Sequence, residues 1–182
     1  MTCLGREKVD RRRGAERGVK KSFSKEIRQE LRRLKGASDQ RLREYDEELR
    51  EKRVAWYKAE CADKTTAGRD PLAVAYHVLL SRLGVQEEQA PVVRRNEREM
   101  VFHSKNFCPT LEACRILGLD TRKVCRLYNE KSTDALVRQV DSRLRFSRNY
   151  ERIRPYADFC EESISLSVED AEQVVDGQTR RT

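Results

Sequence analysis

The chain has 182 residues, 38% of them charged and 37% hydrophobic, with a net charge of +8 and a mean hydropathy of −0.86. This length suits one domain with tails, and no stretch approaches the roughly 18 consecutive apolar residues of a membrane span. The positive balance favours anionic partners without choosing among nucleic acid, acidic lipid and carboxylated small molecules.

Residues 1–22 hold eight Lys/Arg against three acids and read as a disordered, solvated basic tail. No apolar stretch of the secretory type follows them, and Glu7, Asp10 and Glu16 disfavour an organelle transit peptide. A cytoplasmic, reducing location is expected. Cys3, Cys61, Cys108, Cys114, Cys125 and Cys160 are then thiols rather than disulfides.

Ser22 or Ser24 can cap a helix through about Leu34, with Ile27, Leu31 and Leu34 at helical spacing and Gly36 as its breaker. Ser38 and Asp39 restart a helix to about Cys61, whose apolar stripe is thin: Leu42, Tyr45, Leu49 and Trp56. Such a stripe buries little alone. It predicts packing on the rest of the chain or, as a homo-oligomer, on a second copy. Asp63 to Asp70 reads as a polar linker. Asp70–Pro71 then places an acid at the N-cap and proline at the first helical position. The helix it opens carries Leu72, Ala75, Tyr76, Leu79, Leu80 and Leu83 and stops at Gly84. Residues 85–91 read as a loop.

Beyond Arg94 the pattern changes. Glu99–Lys105 alternates as a strand does. Pro109–Thr110 opens a helix to Leu117 ended by Gly118, Thr121 caps another to about Asn129, and Ser132 or Thr133 caps a third over Asp134–Val140. Residues 144–150 and 160–168 alternate again. The sum is an α+β fold: charged N-terminal helices and a small antiparallel sheet covered by short helices. Residues 23–168 form a single domain in this reading, a helical part at 23–90 and a cysteine module at 94–168. Residues 169–182 are a C-terminal tail.

Three constellations could carry chemistry. Cys108, Cys114, Cys125 and Cys160 fall within 53 residues, but the intervals of 5, 10 and 34 residues are not those of structural zinc sites. No metal and no cofactor is expected. Cys108 precedes a helix, and a helix N-terminus favours the thiolate. His103 on the preceding strand is its candidate base. The second constellation is basic: Arg145, Arg148, Arg152 and Arg154 are interleaved with Phe146, Tyr150 and Tyr156. A guanidinium binds carboxylate or phosphate in a two-pronged manner. Arg145 and Arg148 point to opposite faces if the stretch is a strand, and ion pairing with Glu151, Asp158, Glu161 and Glu162 is the bland alternative. The third is a helix-turn-helix pattern over residues 111–128, with Gly118 at the turn and Arg122, Lys123 and Arg126 available to a nucleic-acid groove.

The order of a strand, Cys108–Pro109, Ala113, Gly118–Leu119, Cys125, Leu144-Arg-Phe-Ser-Arg148 and Asp158-Phe-Cys-Glu161 resembles the C-terminal region of the aminothiazoline-carboxylate hydrolase-like family. The resemblance spans roughly residues 40–167. It implies an α+β fold and hydrolytic opening of a cyclic C–N bond in a small carboxylated substrate, or a small-molecule pocket in relatives lacking activity. It matches Cys108, Cys125 and Cys160 to the family's cysteines, with Cys108 as nucleophile or ligand contact and Cys160 as a pocket residue. The Arg–Tyr–Pro stretch 148–156 and the basic N-terminus depart from the family pattern.

Two expectations follow. The first is a hydrolase-like or small-molecule-binding protein. Cys108 and His103 are catalytic there, and Cys125, Cys160, Arg145, Arg148 and Arg154 contact a small anionic ligand. It requires the three cysteines to converge in one cleft. The alternative is a helix-turn-helix nucleic-acid-binding regulator using residues 110–129.

Overall fold

A computed structural model describes residues 15–61 and 68–167. The remainder of the basic tail, Cys3, most of the predicted linker and the C-terminal tail lie outside the described residues. The order is α1 (Ala15–Leu34), α2 (Asp39–Glu60), α3 (Pro71–Leu83), a short 3-10 turn (Glu87–Gln89), β1 (Val92–Arg95), β2 (Glu99–Ser104), α4 (Pro109–Leu117), α5 (Thr121–Tyr128), α6 (Glu130–Val137), β3 (Leu144–Arg148) and β4 (Cys160–Leu166). The fold is α+β, as expected. Among the described residues no helix is long and apolar enough to cross a membrane.

The punctuation read from the sequence acts as capping chemistry. The Asp70 carboxylate accepts from the Leu72 and Ala73 amides, and Gly84 closes α3 at φ 64°. Only glycine takes that left-handed backbone without cost. Gly118 closes α4 likewise, at φ 65°. Other boundaries differ. Helix α1 begins at Ala15, so part of the predicted tail is helical, consistent with the good helix formers Ala, Glu, Arg and Lys there. Asp120, not Thr121, caps α5 through the Arg122 amide. Helix α6 starts at Glu130, and Ser132 and Thr133 lie inside it, buried.

The sheet has strand order β1-β2-β4-β3, all antiparallel. Strand β1 has no counterpart among the elements expected from the sequence. Its sequence, Val-Val-Arg-Arg, has no alternation and every residue is exposed, so period two is invisible there. Helices α3 and α6 cover one face of the sheet. The main core lies between, with Leu72, Tyr76, Leu79, Phe102, Leu136, Phe146 and Ile164 buried in it. A second core joins α1 and α2 to α4 and α5 through Leu34, Leu42, Ala113, Cys114, Val124 and Tyr128. The N-terminal helices therefore pack on the module itself.

How α2 packs is the main departure from its apolar stripe. Its buried residues are Leu42, Asp46, Arg53 and Tyr57. Asp46 accepts from the Ser132 amide at 3.1 Å, so α2 supplies a cap for α6, whose own N-cap residue Asn129 makes no side-chain cap bond. Arg53 donates to the Ser132 and Thr133 hydroxyls, each at 2.7 Å. The buried line is polar because it meets a helix start. At the other junction Glu30 of α1 accepts from the Tyr128 hydroxyl at 2.8 Å and the Thr110 hydroxyl at 3.0 Å.

Candidate functional site

Strand register determines which side chains can share a site. Arg148 pairs with Glu162, and Glu162 with Phe102, in one row across β3, β4 and β2. Ser104 pairs with Cys160 one row further on. Alternation puts these residues on the helix-covered face with Met100, Phe146 and Ile164. Val101, His103, Arg145, Ser147, Glu161 and Ser163 take the opposite face.

A partly open cavity of about 190 Å³ lies at this end of the covered face. Its floor is Phe102, Ser104, Arg148, Cys160 and Glu162 from the sheet. One wall is the last turn of α3 with Val85. The opposite wall combines Cys108 at the start of α4, Cys125 of α5, Asn129, and Ile153 and Arg154 from the β3–β4 connection, and Arg53 reaches in from α2. Cys108, Cys125 and Cys160 therefore line one cavity, and so do Arg148 and Arg154.

The polar groups are ordered by one carboxylate. Glu162 accepts from Arg148 Nε at 2.6 Å through one oxygen and from the Ser104 hydroxyl at 2.6 Å through the other. Arg148 Nη2 donates to Asn129 Oδ1 at 3.3 Å. Burial opposes the charge of Arg148, but the Glu162 carboxylate, together with Cys125 and Tyr150, outweighs it, so its pKa is raised. Arg154 Nη1 donates to the Asn106 carbonyl at 2.8 Å. Arg148 Nη1 and Arg154 Nε are buried and have no hydrogen-bond partner among the described residues. Burial, and after it the positive charge of Arg148, pulls Arg53 down to about 10. Three guanidiniums thus face one carboxylate on this lining.

Burial works against activation of Cys108, Cys114 and Cys125. Cys108 is the N-cap of α4 and accepts from the Leu111 amide at 3.5 Å. Burial nevertheless pushes its pKa up, and desolvation outweighs the helix start that was expected to lower it. Burial takes Cys125 up to about 12. Cys114 is wholly buried in the second core and is pushed up to about 11. Among the described residues no group of three or more His, Cys, Asp or Glu is placed to hold a metal ion.

Two expected residues fall outside the cavity. His103 faces the other side of the sheet, bonds Glu161 at 3.1 Å and stacks on Phe159 at 3.7 Å. It is not a base for Cys108, because one residue of strand register puts the sheet between them. Arg145 also takes the opposite face and donates to the Ser142 and Leu144 carbonyls at 2.7 and 2.9 Å. The reverse error concerns Arg53 and Asn129, which line the cavity and were not singled out. Arg53 lies 95 residues from Arg148 in sequence, and nothing near it signals the meeting. For Glu162 a signal exists: it occupies the apolar parity of its strand, as Arg148 does in the neighbouring one.

The cations of the helix-turn-helix pattern stand at the surface, where they pair with neighbours in the chain. Lys123 pairs with Asp39 at 2.7 Å, and Arg122 pairs with Asp120 at 3.3 Å and covers the Tyr156 ring at 4.2 Å. Arg126 covers the Tyr150 ring at 4.3 Å. Asp39, Asp120 and Glu151 share the surface hollow with these cations. Helix α5 also packs against α2 and α6, and the 150–156 segment lies against its outer side.

No family model matches the chain, and no curated protein or solved structure matches it.

Proposed function

We propose that the chain binds a small anionic molecule in the cavity between the last turn of α3 and the start of α4. The observation that carries this reading is the pair of buried guanidinium nitrogens without a hydrogen-bond partner among the described residues, Arg148 Nη1 and Arg154 Nε, on two arginines that line the cavity. An unmade buried hydrogen bond costs about 1–3 kcal/mol, and an anion oxygen would satisfy it with a charge-assisted bond. The surplus of guanidinium over carboxylate on the lining favours the same sign of ligand. The resemblance to the aminothiazoline-carboxylate hydrolase-like family points to a small carboxylated ligand as well. The proposal is binding, not turnover through a Cys108–His103 pair, since the histidine lies across the sheet and the thiol is held in its neutral form.

Thermal unfolding with a panel of small anions tests this. A ligand at a hundredfold excess over its Kd stabilises the folded state by about 2.7 kcal/mol. Wild-type chain gains stability with at least one of acetate, benzoate and phosphate at constant ionic strength, and Arg154→Gln gains less. Equal response of both proteins to every anion would overturn the proposal.

A further inference from the structure

Two kinds of side chain line the cavity. The polar ones include Arg53, Ser104, Asn129, Arg148, Arg154 and Glu162. The hydrocarbon ones include Leu79, Leu80 and Leu83 of α3, Val85 and Phe102. At the mouth, Leu83 and Phe107 are 49% and 36% exposed, an apolar rim on an otherwise highly charged chain. Resting on the anion-binding reading above, we infer that the ligand is an amphipathic monocarboxylate, its carboxylate between Arg148 and Arg154 and an aromatic or branched aliphatic body against α3 and Phe102.

Three observations narrow the class. The first is charge. Glu162 lines the same cavity and sits 2.6 Å from Arg148, so a second negative charge on the ligand would meet a carboxylate already in the cavity. The two unpartnered nitrogens, Arg148 Nη1 with two N–H groups and Arg154 Nε with one, can serve the oxygens of a carboxylate, while a phosphate dianion would bring a larger desolvation cost.

The second is the wall. Leu79, Leu80, Leu83 and Val85 offer no polar side-chain atom to a ligand's ring nitrogens. Thiols held neutral by burial, Cys108 and Cys125, are weak donors. A polar heterocycle would leave its own donors unmet there, whereas a hydrocarbon body would not. The third is size. A volume of about 190 Å³ exceeds the roughly 150 Å³ that accommodates benzene in an apolar cavity, so a body of about six to eight carbon atoms fits.

Calorimetric titration of the full chain with acetate, benzoate, cyclohexanecarboxylate, benzyl alcohol and phenyl phosphate tests the class. Benzoate and cyclohexanecarboxylate bind about tenfold or more tighter than acetate, because the body is buried against the leucines. Benzyl alcohol and phenyl phosphate bind more weakly than benzoate. Leu83→Ser and Phe107→Ser, both at exposed positions, weaken benzoate more than acetate. Equal affinities for acetate and benzoate would overturn the apolar body while leaving anion binding intact. Tighter binding of phenyl phosphate would overturn the single charge in the same way. Benzyl alcohol matching benzoate would overturn the carboxylate. Failure of every anion to bind would remove the underlying reading itself.

Discussion

Arg148 and Glu162 face each other as register partners on β3 and β4, joined Nε to Oε1 at 2.6 Å with side chains only 11% and 10% exposed. Removing one member of such a pair strands the other charge, while replacing both with apolar residues of similar volume is close to neutral. Arg148→Met is therefore expected to cost about 3–5 kcal/mol of stability in urea unfolding, and Arg148→Met with Glu162→Met much less. Two variants of equal stability would mean that the pair is not buried as described.

The pocket thiols are predicted to be slow. At neutral pH, labelling followed by mass spectrometry should modify Cys108 and Cys125 about tenfold or more slowly than a free cysteine peptide, because the thiolate is the reactive form and burial suppresses it. Cys108 emerging as the fastest site would revive a nucleophilic role for it.

Alkaline stability follows from the same shifts. Cys114 and Cys125 are raised from about 9 to about 11 and 12 by burial. The folded state binds these protons more tightly than the unfolded one. Their contribution is therefore complete below pH 9 and is lost as the pH climbs from 9 towards 12. Denaturant midpoints should fall across that window, and Cys125→Ala should flatten the fall. A midpoint indifferent to pH up to 11 would contradict the burial of these thiols.

His103→Ala is expected to leave anion affinity within about twofold of wild type, since the ring lies on the far face of β2 with Glu161 and Phe159. A loss of tenfold or more in calorimetry would place His103 functionally at the cavity.

Period and capping made most elements legible. Asp70–Pro71 and Gly84 bracket α3, and Pro109 and Gly118 bracket α4, because caps are local chemistry. Cys108, Cys125 and Cys160, singled out in the sequence, all line the cavity. What escaped was long-range or hidden in parity. Arg145 and Arg148 cannot both face one site from a strand, and only Arg148 does. His103 fails by the same one-residue rule. Arg53 and Asp46 are charged residues on the buried side of α2, where an apolar stripe was sought. They are buried because α6 begins there with unsatisfied donors and hydroxyls, a meeting that no local pattern in α2 announces.

Calorimetric titration of benzoate into wild-type chain and into the Arg148→Met, Glu162→Met double variant tests the central claim most directly. The double variant keeps the cavity and its apolar wall but lacks the ordered guanidinium. Saturable one-to-one binding to wild type that weakens at least about tenfold in the double variant is the predicted result. Equal affinity in the two proteins, or no binding to wild type, would contradict an anion site at Arg148.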